Sequence, residues 1–169
     1  MRYLINNGPM QTTAAFAPVA TGTGIKTLLQ VAPGATTVLK ICEWGISFDG
    51  FAAAAPGKVE LVETDVAATV TACVANDITK YDATALLAGN PTTALISVGT
   101  ASTGYTATVE GTTTASRDLD GPQLIAPTNQ FIKQFPLGTE PIIQIGKFAR
   151  IRVTFAATVN ASCYMIVEV

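Results

Sequence analysis

The chain has no histidine, and only 13% of its 169 residues are charged. The first absence removes the commonest general base, the commonest metal ligand and the usual partner of a nucleophilic Ser or Cys. The second leaves about half the charged share of an ordinary soluble domain, which is roughly 25%. A net charge of -2, with ten Lys and Arg residues scattered along the sequence, gives no basic field, so nucleic acid is not an expected partner. No apolar run approaches the roughly 20 residues needed to cross a bilayer. At the N-terminus, MRYLINNGPM puts Asn6, Asn7, Gly8 and Pro9 where a signal peptide needs its apolar stretch, so neither membrane insertion nor export by a signal is expected. Three cysteines, Cys42, Cys73 and Cys163, are odd in number, far apart and set among Val, Ile or Ala; they read as small core residues rather than as a disulfide or metal framework.

The motifs that invite a chemical reading lack their essential parts. ATGTGIKT (20–27) lacks the contiguous Gly-Lys-Ser/Thr of a phosphate-binding loop, because Ile25 separates Gly24 from Lys26 and a strand follows. RDLDGP (117–122) offers Asp118 and Asp120, too few oxygens for calcium, and reads as an Asx-type turn. Asn160 in NAS fits a hairpin turn better than a glycosylation site. Glu60 and Glu63 fall on opposite faces of a strand and read as solvated, while Arg117, Arg150 and Arg152 read as surface or interface cations. No cofactor, metal or catalytic set is expected.

What the sequence does contain is β-structure. Strand-like runs with turn residues every 8 to 12 positions extend from Ile25 to the end, beginning with IKTLLQV and a Pro33-Gly34 turn. In the C-terminal third, QFIKQFPL, PIIQIG, KFARIRVTFAA and SCYMIVEV follow one another. Ala149, Ile151, Val153 and Phe155 alternate with Arg150, Arg152 and Thr154; Cys163, Met165 and Val167 alternate with Tyr164, Ile166 and Glu168. A short helix is expected at Ala83–Ala88, with Asp82 as N-cap and Gly89 as stop, and loops at FAAAAPG (51–57) and TASRDLDGPQLIAPTN (114–129). The expected fold is all-β, an antiparallel β-sandwich or jelly roll over residues 25–169, preceded by an extended N-terminal arm over residues 1–24. Phe16 and Val19 are the arm's expected anchors on another surface.

The stretch TTVLKICEWGISFDG (36–50) breaks strand alternation. Its even positions Val38, Cys42, Trp44, Ile46 and Phe48 suit a core face, yet Leu39 and Ile41 lie on the odd face. Either a bulge between Ile41 and Trp44 flips the phase, or Leu39 and Ile41 are covered by the arm or a neighbouring subunit.

A surface filled with Thr, Ser, Ala and Gly instead of charge suits packing against copies or partners. The plan of an arm, the strands of IKTLLQVAPGATTVLKICEWGISFDG and the ending RIRVTFAATVNASCYMIVEV resembles small virion proteins of tailed bacteriophages, in particular capsid decoration or cement proteins. The resemblance implies a β-sandwich homo-oligomer, commonly a trimer, assembled in the host cytoplasm into the virion. There it would bind major capsid protein or other virion proteins without chemistry, with Phe16, Val19, Leu39, Ile41, Arg150 and Arg152 as interface candidates. A tail or other virion component, and a carbohydrate- or receptor-binding sandwich, are the alternatives; the second has little support in an aromatic content of 7%.

Overall fold

A computed structural model describes residues 1–13, 15–50, 55–81 and 95–169. The expected helix at Ala83–Ala88, with Asp82 and Gly89, lies outside the described residues, as do residues 51–54 of the expected loop. The strands in chain order are β1 (Arg2–Asn6), β2 (Val19–Ala20), β3 (Ile25–Pro33), β4 (Leu39–Phe48), β5 (Gly57–Thr64), β6 (Thr69–Ala72), β7 (Ile78–Lys80), β8 (Ile96–Ser97), β9 (Gly104–Val109), β10 (Ser116–Ile125), β11 (Gln130–Gln134), β12 (Ile142–Ile143), β13 (Phe148–Thr154) and β14 (Asn160–Glu168). A single 3₁₀ turn, Ala75–Asp77, is the helical element among the described residues.

Two sheets of antiparallel strands pack face to face as a β-sandwich. Sheet I runs β11-β4-β14-β1-β7, with β12 on β4 and β2 on β14; sheet II runs β10-β5-β13-β3-β9-β6, with β8 on β3. Period-2 alternation supplies the core. Met165, Cys163 and Val167 from β14 meet Ile151 and Val153 from β13, with Leu61, Leu29 and Ile5 in the same cluster. Fully burying each such side chain contributes about 1.5–3 kcal/mol before chain entropy is counted. Trp44 is fully buried, 5.1 Å from the Phe131 ring, and its indole N–H donates to Asp120 Oδ2 at 3.0 Å.

The phase problem in the Trp44 strand has a local solution. On β14, Ile166 pairs with Glu43 and Val167 with Ile41, so Cys42 is the extra residue of a bulge. Before it, Leu39 and Ile41 point into the core; after it, Trp44 and Ile46 do. Leu39 and Ile41 are fully buried inside their own chain, which corrects their reading as interface candidates, and Val38 is 39% exposed rather than in the core.

Three further expectations change. Residues 1–24 are not a free arm: β1 sits between β14 and β7, with Tyr3 and Ile5 in the core. Two inward residues before NNGP make too short a pattern to stand out. After β1, the Asn7 side chain donates to Ala161 O at 3.1 Å and accepts from Cys163 N–H at 2.9 Å, and β2 rejoins β14. Residues 116–125, expected as loop, form the bulged edge strand β10, whose register shifts on either side of Asp120; there Gly121 has φ 115°, a conformation that favours glycine. Asp118 and Asp120 thus belong to a strand and not to an Asx turn. The Asn160 position is not a hairpin turn: Asn160 opens β14, and its connection from β13, like that from β3 to β4 after Pro33, carries the chain between the two sheets.

Candidate functional site

The outward-pointing residues of sheet II are largely charged or polar, and they are closed over by the chain itself. Arg152 lies opposite Glu60 on β5 and Thr27 on β3; Arg150 lies opposite Val62 and Gln30. Glu60 is only 4% exposed, with Arg152 at 2.8 Å from one oxygen and Lys58 Nζ at 2.9 Å from the other. Arg150 is completely buried. It donates to Glu110 O at 3.0 Å and to Val66 O, and lies 3.7 Å from the Glu110 carboxylate. That carboxylate accepts from the Thr27 N–H and hydroxyl, both at 2.6 Å. Burial lowers the Arg150 pKa below its ordinary value, and Glu110 opposes the shift. Gln30 accepts from Ala68 N–H at 2.8 Å and donates to Ser102 O at 2.6 Å. The carboxylates of Glu60 and Glu110 are engaged, while Arg150 Nε and Arg152 Nε are buried without a hydrogen-bond partner among the described residues. The cluster ties strands to the loops that cross them.

The loop cover is fixed in turn by Asp65. Its carboxylate accepts from the Thr114 hydroxyl at 2.5 Å and from Ala115 N–H at 3.0 Å, which together hold its pKa at about 2. Because both outer sides of β3 are covered from Thr27 onward, that strand is buried continuously instead of alternately.

Sheet I is different. Its outward residues form rows across the strands: Thr79, Leu4, Ile166 and Glu43; then Asn6, Tyr164, Gly45 and Ile132; then Arg2, Glu168, Lys40 and Ile142. Leu4, Tyr164 and Ile166 are half-buried, Ile132 is 55% exposed and Ile142 40%. Tyr164 lies flat over Gly45, where a Cβ would come within 2.5 Å of the ring, and its hydroxyl donates to Glu43 Oε1 at 2.5 Å. Burial and the Glu43 carboxylate raise the Tyr164 pKa. Arg2 Nε meets Glu168 at 3.0 Å and holds that carboxyl below its usual range.

The segment after β1 loops back over one margin of this face. A cavity of about 250 Å³ separates it from the sheet, lined by Leu4, Asn6 and Thr79 below and by Met10 and Phe16 above. Met10 N–H donates to the buried Asp77 carboxylate at 2.7 Å, and Phe16 packs on Gly8, where a Cβ would lie 2.8 Å from its ring. Phe16 and Val19 therefore anchor on their own chain.

On the opposite side of the sandwich β10 and β11 are the last strands of their sheets among the described residues. Residues 126–129 join the two edges at one end, and Arg117 donates to Ile142 O at 2.8 Å at the other. Along this side Leu124 is 79% exposed and Leu137 89%. No family model, curated protein or solved structure matches this chain.

Of the six interface candidates, Leu39, Ile41 and Arg150 are interior. Arg152 is mostly covered, and Phe16 and Val19 are half-buried against their own chain. Ile132, Ile142, Leu124 and Leu137 are among the exposed large apolar side chains, with Ile25, Val38, Val74, Val109 and Ile145 elsewhere, and they carry a weaker signal because each stands on a different strand or turn. Among the described residues no three His, Cys, Asp or Glu side chains group as a metal site, and the three cysteines are buried and free, with burial pushing Cys73 up to about 12.

Proposed function

We propose that this protein is a structural subunit of a virus particle, of the capsid decoration or cement type, which binds the assembled shell and holds neighbouring shell subunits together. The observation behind the reading is a pair of strongly exposed leucines, Leu124 on β10 at 79% and Leu137 in the turn after β11 at 89%, on a chain in which only 13% of residues are charged. Exposed apolar residues beside open sheet edges cost solubility unless a partner covers them. Copies bound across shell boundaries stabilise the shell by mass action, and many weak symmetric contacts add through effective concentration. A glycan-binding role has less to stand on: Trp44 is buried, and among the described aromatic residues only Tyr81 is strongly exposed.

The test is imaging of the particle with the protein labelled, together with sedimentation of purified protein with shells that lack it. Regular density on the head, and co-sedimentation lost in Leu124→Asp/Leu137→Asp, is the expected result. Label on the tail would move the assignment to a tail component, and absence from particles would end the virion reading.

A further inference from the structure

We infer that the cover of sheet II is a strap that opens as a unit while the sandwich beneath it stays folded. The strap consists of residues 65–70, which follow β5, and residues 106–115, which precede β10. Its opening uncovers Arg150 and the polar side chains around it. This goes beyond the shell-binding reading, which rests on Leu124 and Leu137.

Three observations carry the inference. The first is how little apolar surface holds the strap down. Ala68, Val70 and Ala107 form a small cluster of their own, apart from the main core, and Val109 is 59% exposed. Segments with few buried apolar contacts open at a lower free energy than the core does.

The second observation is the kind of bond that replaces apolar contact. Arg150 donates to the carbonyls of Val66 and Glu110, the Gln30 amide holds Ala68 through both its oxygen and its nitrogen, and Thr27 holds the Glu110 carboxylate. These bonds take Arg150 wholly and Glu110 largely out of water, with side chains 1% and 29% exposed. Opening returns both to solvent, so the net contribution of the bonds to closure is well below what their number suggests.

The third observation is a hinge. β9 pairs with β3 through Gly104 and Tyr105 and leaves it at Thr106, whose φ of 53° lies in the left-handed region that a β-branched residue rarely enters. Backbone strain of this kind is relieved once the segment beyond it swings away. The two halves of the strap move together, because Asp65 binds Thr114 and Ala115, and Gly111 lies where a Cβ would come within 2.8 Å of the Ala67 carbonyl. Lifting the strap carries Glu110 away and leaves Arg150, Arg152 and Lys58 with one carboxylate, Glu60. A patch of net positive charge is thereby uncovered on a protein that has few charges.

Hydrogen exchange of the full chain, read amide by amide by NMR in urea below the unfolding transition, tests this. The reporters are the Thr27 N–H, bonded to Glu110, and the Ala68 N–H, bonded to Gln30. Both should show similar protection, exchange at least about 100-fold faster than the slowest amides of β13 and β14, and depend less on urea, as an opening that exposes little surface requires. Glu110→Gln should speed the exchange of both by about 10-fold and leave the β14 amides unchanged. Thr106→Gly, which suits the left-handed conformation, should slow both. Thr27 and Ala68 amides that exchange only together with β13 and β14, at the same urea dependence, would overturn the inference; so would unequal protection of the two, or faster exchange in Thr106→Gly. Failure here leaves co-sedimentation through Leu124 and Leu137 untouched, so the two readings fall separately.

Discussion

Arg150 and Tyr164 occupy comparable places, each pointing outward from the middle of a long strand, β13 in one sheet and β14 in the other. Arg150 is sealed beneath the chain's own loops, whereas Tyr164 lies half-buried across a glycine. The difference shows where this protein places its scarce charge. On sheet II, Glu60, Arg150 and Arg152 tie strands to cover, and the desolvation they suffer is offset by pairing. On sheet I the outward rows are short, apolar or uncharged, apart from Arg2, Lys40, Glu43 and Glu168. A face the chain closes for itself holds the buried charges. The four on the half-open face, Arg2, Lys40, Glu43 and Glu168, all keep contact with solvent.

The sharpest way to break that comparison is to remove the buried guanidinium. Arg150→Ala removes a donor from the Val66 and Glu110 carbonyls and leaves the Glu110 carboxylate without its cation, though still bonded to Thr27, and should cost about 3–5 kcal/mol in urea unfolding. Tyr164→Ala, which removes one hydrogen bond and a partly exposed ring, should cost about 1.5 kcal/mol. Equal costs would mean that the outer face of sheet I is as integral to the fold as that of sheet II.

Next in size is a steric test confined to sheet I. Gly45→Val drives a side chain into the Tyr164 ring, since even a Cβ would approach to 2.5 Å; an overpacking cost of about 1–3 kcal/mol is expected. In the background of Tyr164→Ala most of that cost should vanish, and a double-mutant cycle on unfolding midpoints measures the coupling. Strict additivity would show that the ring does not rest on Gly45.

Acid and alkali should act on different faces. The Asp65 pKa is depressed to about 2 from 3.8, so its stabilisation is full above 3.8 and disappears as pH falls toward 2, loosening the cover of sheet II. Asp65→Asn should flatten the acid limb of the stability curve. Tyr164 and Cys73 are shifted upward from ordinary values of 10.0 and 9.0, so the stability they contribute is full below those values and declines as pH rises beyond them. Tyr164→Phe should reduce the alkaline slope without abolishing it, because the buried thiols share it. An alkaline slope unchanged by that substitution would remove Tyr164 from the account.

Much of the sandwich is legible from alternation alone: β13 and β14 follow their patterns residue by residue, with Arg150 the one outward residue of β13 that is fully buried. The two phase options for the Trp44 strand were also legible, and the bulge at Cys42 decides between them. What stayed hidden depends on partners distant in sequence. RDLDGP has turn composition, yet Asp120 is held in a strand by pairing with β5 and by the Trp44 indole. RYLIN is too short to signal a strand by itself, and becomes one because β14 and β7 flank it. The burial of Arg150 and Gln30 could not be read from a strand pattern, because their partners come from residues 66, 68 and 110. The same cause moved the candidate surface: strong apolar runs such as Leu39–Ile41 are core, and the exposed face is made of isolated residues on separate strands.

The smallest effect should come from Arg2→Gln. Arg2 and Glu168 meet at 3.0 Å with side chains 50% and 38% exposed, and each shifts the other's pKa in the direction that favours the charged form. Water and salt screen such a pair, and its ordering entropy opposes what Coulomb attraction remains, so the unfolding midpoint should not move measurably. A midpoint that falls by more than about 1 kcal/mol equivalent would show that the pair is part of what holds β1 to β14.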